Sequence, residues 1–137
     1  MRHGLTIVAV SILLCASLGY GQEPKEKRVV AAVGADGIQR VEVNAGSYYF
    51  DPNVIVVKVN VPVELTVKKA GGSTPHNIVL KAPEAGIDFS EALSTEPTRI
   101  QFTPTKVGKY PFECTHKLLF FKSHKDRGMH GVLEVVE

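Results

Sequence analysis

Cysteine is almost absent from this 137-residue chain, which carries only Cys15 and Cys114. Two thiols allow at most one bridge, so a disulfide-dense secreted scaffold is excluded. Charge of one sign is equally lacking: 16 Lys and Arg stand against 14 Asp and Glu, a formal +2. A balance so near zero, dispersed along the chain, gives no argument for binding nucleic acid or an anionic membrane. No segment sustains a helical period, no unit repeats and no tract is of low complexity, which leaves out coiled coils and fully disordered tails. What is present is 44% hydrophobic and 22% charged, with 12 Gly and 8 Pro, at a length that suits one domain with its own core.

The one long apolar run, Leu5 to Leu18, is shorter than the ~20 residues that cross a bilayer comfortably. Arg2 and His3 precede it, and Gly19 and Gly21 follow before polar residues begin. That layout predicts a secretory signal over residues 1–21, cleaved between Gly19 and Gln22, and hence a periplasmic or secreted protein with no membrane span in the mature chain. Leu14, in the place where a lipid-attachment signal needs a small residue, argues against lipidation at Cys15. Cleavage would take Cys15 away and leave Cys114 without a mate. A lone thiol in an oxidising compartment calls for a metal, a partner chain or burial.

Residues 22–28 are charged and aperiodic and read as a flexible leader to a domain over 29–137. Within that domain apolar and polar residues alternate at Gln39–Val43, Ile55–Val61, Val63–Val67, Asn77–Leu80, Arg99–Phe102, Tyr110–Cys114 and Gly131–Val136, rich in Val and Ile. These are strand patterns, punctuated by turn formers at Asp51-Pro52-Asn53, Gly71-Gly72-Ser73, Pro104 and Gly108. Brief helical turns are expected at Asp88–Leu93, where Asp88 and Glu91 have capping-box spacing, and around Lys117–Lys122. The prediction is an all-β Greek-key sandwich or barrel of seven to eight strands, with functional side chains on the loops flanking the last strands.

The segment from Cys114 to His130 gathers a thiol, three imidazoles (His116, His124 and His130) and one of only two methionines. Thiolate and thioether donors select copper, above all Cu(I), and imidazole suits both of its oxidation states. His76, in Thr74-Pro75-His76-Asn77 just before a strand, is the remaining imidazole after the expected cleavage. Each residue has an ordinary alternative: a turn or core histidine, a packed methionine, a buried inert thiol.

Here the sequence resembles the cupredoxin family, the plastocyanin-like small blue copper proteins. The resemblance spans most of the expected mature chain and rests on three segments: Tyr48-Tyr49-Phe50-Asp51-Pro52-Asn53, the Pro75-His76-Asn77 triplet, and Phe102 to Cys114 with its Gly108-x-Tyr110 strand. It implies a type 1 copper ion held by His76, Cys114, His124 and the weak axial Met129, with Asn77 hydrogen-bonded to the cysteine-bearing loop rather than to metal. Met129 lies five residues after His124 and just ahead of the closing strand. The departure is a long ligand loop, with nine residues between Cys114 and His124, inside which His116 is the alternative ligand. His130 reads as a surface histidine. The implied function is electron transfer with a redox partner protein, and copper storage or delivery by the same ligands is the alternative. Leu118–Phe121 would either cap the copper end as a docking patch or turn inward to fill the barrel mouth. No Gly-x-Ser-x-Gly elbow and no His-x-His cluster is present, which argues against a hydrolase and against multicopper oxidase chemistry.

Overall fold

The structure, a computed structural model, describes residues 24–137; the expected signal and Cys15 lie outside the described residues. Ten strands run in chain order: β1 (Arg28–Val30), β2 (Gln39–Gly46), β3 (Tyr49–Asp51), β4 (Val54–Lys58), β5 (Val63–Lys69), β6 (His76–Ala82), β7 (Ile87–Leu93), β8 (Thr98–Phe102), β9 (Gly108–Glu113) and β10 (His130–Val136). They form a six-stranded sheet, β1-β4-β10-β9-β6-β7, and a four-stranded sheet, β3-β2-β5-β8. The all-β Greek-key sandwich expected from the alternation is the fold observed.

Period-two patterning sets which side chains enter the space between the sheets. Val41, Val43 and Ala45 of β2, Val63, Leu65 and Val67 of β5, Ile78, Leu80 and Ala82 of β6, and Leu133 and Val135 of β10 are all buried, with their strand neighbours, Gly46 apart, turned outward or half-covered. Phe50 and Phe112 meet edge to face at 5.3 Å between ring centroids, joining the two sheets near one end. Gly131 sits where β10 passes that pair: a Cβ there would lie 2.3 Å from the Phe112 ring and 2.5 Å from the Asn53 carbonyl. Close approach, not a left-handed backbone, is what that glycine provides.

The strand count exceeds the seven segments read from alternation, because β1 and β3 are three-residue strands and β7 was read otherwise. The helical turn expected at Asp88–Leu93 is corrected to a strand: β7 pairs antiparallel with β6 over seven positions, Ala82 opposite Ile87 through His76 opposite Leu93. Ile87 and Phe89, two apart, both reach the core, while Asp88 bonds across to Lys81 at 2.6 Å instead of capping a helix. A full ladder plus two buried apolar side chains outweighs a local capping signature. The helical turn expected around Lys117–Lys122 is also corrected. That stretch is a tight turn closed by Phe121 N–H on the Leu118 carbonyl at 2.9 Å, with Leu119 at φ 45°. Among the described residues, the one short 3-10 turn is Pro83–Ala85.

The fold takes up the chain earlier than residue 29. Arg28 opens β1, which runs parallel to β4, and Asn53 holds the segment before it: Lys27 N–H donates to its Oδ1 at 2.7 Å and its Nδ2 donates to the Lys25 carbonyl at 3.1 Å.

Candidate metal centre

Three of the residues singled out from sequence extend inward-facing rows of their strands by a single position. His76 starts the row His76, Ile78, Leu80 on β6; Cys114 follows Phe112 two residues on, past the end of β9; Met129 precedes Gly131 and Leu133 by the same step, ahead of β10. Alternation therefore aims all three into the end of the sandwich. Register brings Cys114 level with Met129 and leaves His76 two positions along β6 from the residue opposite Cys114. Glu113 of β9 faces Val79 of β6, and the same antiparallel count places Thr115 opposite Asn77. Cys114 N–H donates to the Met129 carbonyl at 3.0 Å, continuing the β9–β10 ladder by one pair.

The fourth residue arrives from the loop. Ser123 Oγ accepts Asp126 N–H at 3.1 Å, as an N-cap serine does, and its hydroxyl donates to the Asp126 carboxylate at 2.6 Å. The turn that follows places His124, whose N–H donates to the His116 carbonyl and whose own carbonyl accepts Met129 N–H, both at 2.9 Å. A nine-residue loop would otherwise leave His124 free to wander. These bonds fix it.

The result is a buried triangle. Cys114 Sγ lies 3.4 Å from His124 Nδ1 and 4.0 Å from His76 Nδ1, and the two Nδ1 atoms are 3.1 Å apart. All three side chains are buried, Cys114 completely, and so is Met129. Two Nδ1 atoms this close form a hydrogen bond only if one carries a proton, and a cation between them replaces that proton. Bonds of the lengths zinc makes, ~2.0 Å to nitrogen and ~2.3 Å to sulfur, would set trigonal donors ~3.5 to ~3.8 Å apart, and the observed spacings bracket that range. The donor set thus fits a single ion.

Electrostatics favours lone pairs over protons at the same atoms. Burial first, then the neighbouring His124, Lys69 and His116, pushes His76 down to about 4. His124 is lowered too, chiefly by burial and then by His116 and Arg127. A neutral imidazole keeps its nitrogen electron pair available for a cation.

Around the triangle, Asn77 closes a two-bond clasp on the cysteine-bearing loop: Thr115 N–H donates to Asn77 Oδ1 and Asn77 Nδ2 donates to Thr115 Oγ1, each at 2.8 Å. Tyr48, with a positive φ of 64°, packs edge-on against His124 at 5.0 Å and His76 at 6.2 Å between centroids. Arg127 lies over the Tyr48 ring at 4.7 Å. Sequence reasoning gave no role to Tyr48 or to the Ser123–Asp126 cap. The Ser-x-x-Asp spacing is a signal that could have found the second; the first depends on a contact between distant segments.

His116 is not one of the three residues whose ligand atoms converge. Its ring stands 6.0 Å from that of His124, and both line a cavity of about 270 Å³ with Tyr48, Arg127, Leu118 and Phe121. His130 is half-buried on β10, opposite Glu113. Of the two arrangements open to the inserted loop, it takes the outward one: Leu118, Leu119, Phe120 and Phe121 are 65, 75, 101 and 59% exposed.

A sequence profile of the cupredoxin-like domain matches residues 5–132. The chain belongs to the cupredoxin-like family. Among curated proteins no sequence matches it. Its fold is shared with the metal binding domain of the Cu(I) exporting P-type ATPase CopA of Streptococcus pneumoniae, at 24% identity and TM-score 0.62 over 81% of this chain and 97% of that one. Dithionite-reduced auracyanin from Roseiflexus castenholzii is similar at 22% identity and TM-score 0.57, covering 72% of this chain and 97% of its own. Auracyanin A, a blue copper protein of Chloroflexus aurantiacus, aligns at 21% identity and TM-score 0.53 over 73% of this chain and all of its own. In this cupredoxin His76, Cys114 and His124, with Met129 beside them, are positioned to bind one copper ion. No helix among the described residues is long and apolar enough to cross a membrane.

Proposed function

We propose that this cupredoxin is an exported type 1 copper protein that carries electrons rather than catalysing a reaction, with Cys114, His76 and His124 as the strong ligands and Met129 as the weak axial one. The observation that carries the reading is the buried triangle of one sulfur and two imidazole nitrogens, all within 4.8 Å of one another. Copper held by such a set supplies one-electron exchange between Cu(II) and Cu(I). The chain's own part is to keep the donors still. Cys114 and Met129 are tied by a ladder bond, His124 by two backbone bonds, and Thr115 by Asn77, so little of the frame need move when the charge changes. His124 lines the cavity that opens beside the loop, and its edge is where a redox partner protein would approach. Export is supported by the signal-like run before Leu18 and by a thiol left single after cleavage.

Copper storage or delivery is the second reading, favoured by the resemblance to a domain of a Cu(I) exporter and by soft donors reachable through that cavity. Optical and paramagnetic-resonance spectra of the copper-loaded protein separate the two. An intense visible band that bleaches reversibly with mild reductant supports the electron carrier, whereas copper held only as Cu(I) and surrendered to chelators supports delivery. Failure to take up copper in either state removes both.

Asn77→Ala is expected to weaken copper binding about 10- to 100-fold, the usual effect of losing a group that orients a ligand. Chelator competition measures it, with far-ultraviolet circular dichroism as the check that the sandwich remains. Unchanged affinity would mean that the Thr115 clasp does not position Cys114.

A further inference from the structure

The loop that carries His124 presents, at its tip, four consecutive large apolar side chains to solvent. Phe120 is fully exposed and Leu119 is 75% exposed, and the tight turn between the Leu118 carbonyl and Phe121 N–H makes the tip convex. Contiguous exposure of this kind marks an interaction site. Exposed lysines flank the tip on both sides, Lys117 before it and Lys122 after it, and Arg127 borders the cavity beneath. Among the described residues none of these three cations is paired with a carboxylate, whereas Lys125 is bonded to Glu113 at 2.6 Å. The acid on the loop, Asp126, is turned to Ser123.

We propose that this tip is a docking element for an anionic phospholipid surface: Leu119 and Phe120 enter the boundary between headgroups and acyl chains while Lys117, Lys122 and Arg127 meet lipid phosphates. A convex apolar tip bordered by cations without carboxylate partners matches a medium that yields around it and carries negative charge at its surface. A protein partner would need a preformed hollow for Phe120, and nothing in the loop selects one. The near-zero charge of the whole chain conceals this element, because a sum over all residues does not show where cations without a carboxylate partner are gathered. Docking through the tip would hold the cavity beside His124 close to the lipid surface, on the same loop.

The chain has no tryptophan, so Phe120→Trp gives the full chain a single indole that reports on the tip alone, whatever residues 1–21 do. With vesicles of phosphatidylcholine and phosphatidylglycerol at low salt, the indole emission should shift to the blue and be quenched by brominated acyl chains. Pure phosphatidylcholine should give neither effect. Adding Lys117→Glu and Lys122→Glu should lower the apparent vesicle affinity tenfold or more, as should raising salt. An indole that stays solvent-exposed on anionic vesicles overturns the proposal and returns the tip to a protein partner. A shift equally strong on neutral vesicles, or indifferent to the lysine changes, overturns the role given to the cations. Neither outcome depends on copper, so the reading of the metal centre stands or falls separately.

Discussion

Cys114→Ser is expected to abolish the visible absorption of the copper-loaded protein while leaving the β-sheet signal in circular dichroism intact. The band requires a thiolate bonded to the ion, and Cys114 Sγ is the single sulfur in the triangle with His76 and His124. The fold should tolerate the change. Serine is close to isosteric, and its hydroxyl has an imidazole nitrogen within reach, so the copper-free protein should lose only ~1–2 kcal/mol. A second readout is the stabilisation that binding confers. At a free copper concentration 100 times its dissociation constant, the wild type should gain ~2.7 kcal/mol, visible as a raised melting temperature, and the serine variant should gain far less at the same concentration. Retained colour would contradict thiolate ligation.

His124→Ala should damage the copper spectrum and the copper-linked stabilisation far more than His116→Ala. His124 Nδ1 is 3.4 Å from Cys114 Sγ and 3.1 Å from His76 Nδ1. The contribution of His116 to the centre is its backbone carbonyl, which accepts His124 N–H and survives truncation of the side chain. The alanine at 116 should therefore leave the band in place. The alanine at 124 leaves two strong donors, too few for the trigonal set. The opposite order would move the ligand assignment to His116.

The β-sandwich was legible because period-two alternation is a local property of the chain, and so was the inward aim of three side chains. His76 stands in phase with Ile78 and Leu80, Cys114 with Phe112, and Met129 with Gly131 and Leu133. Loops have no such period. Nothing in the stretch from Thr115 to Ser123 says whether it returns an imidazole to the sulfur or carries it away. The cap at Ser123, the two backbone bonds to His124 and the edge-on packing of Tyr48 decide that. Asp88–Leu93 shows the converse failure: a capping signature was visible locally, while the seven-position ladder to β6 that overrode it was not. Gln39 shows it again. It lies completely buried, holding the turn after β4 through bonds to Lys58 and Val61; its phase with Val41 and Val43 aims it inward, but no short window shows which distant backbone groups satisfy its amide.

By itself the sequence determined the layered all-β architecture and a set of soft donors gathered after the ninth strand's pattern, since each follows from residue type and spacing. Only the tertiary structure decided which imidazoles share the sulfur's pocket, that burial disfavours their protonated forms, and that the inserted apolar residues face outward. Those depend on register between strands distant in sequence and on bonds across a loop, and neither is encoded in any short window of the chain.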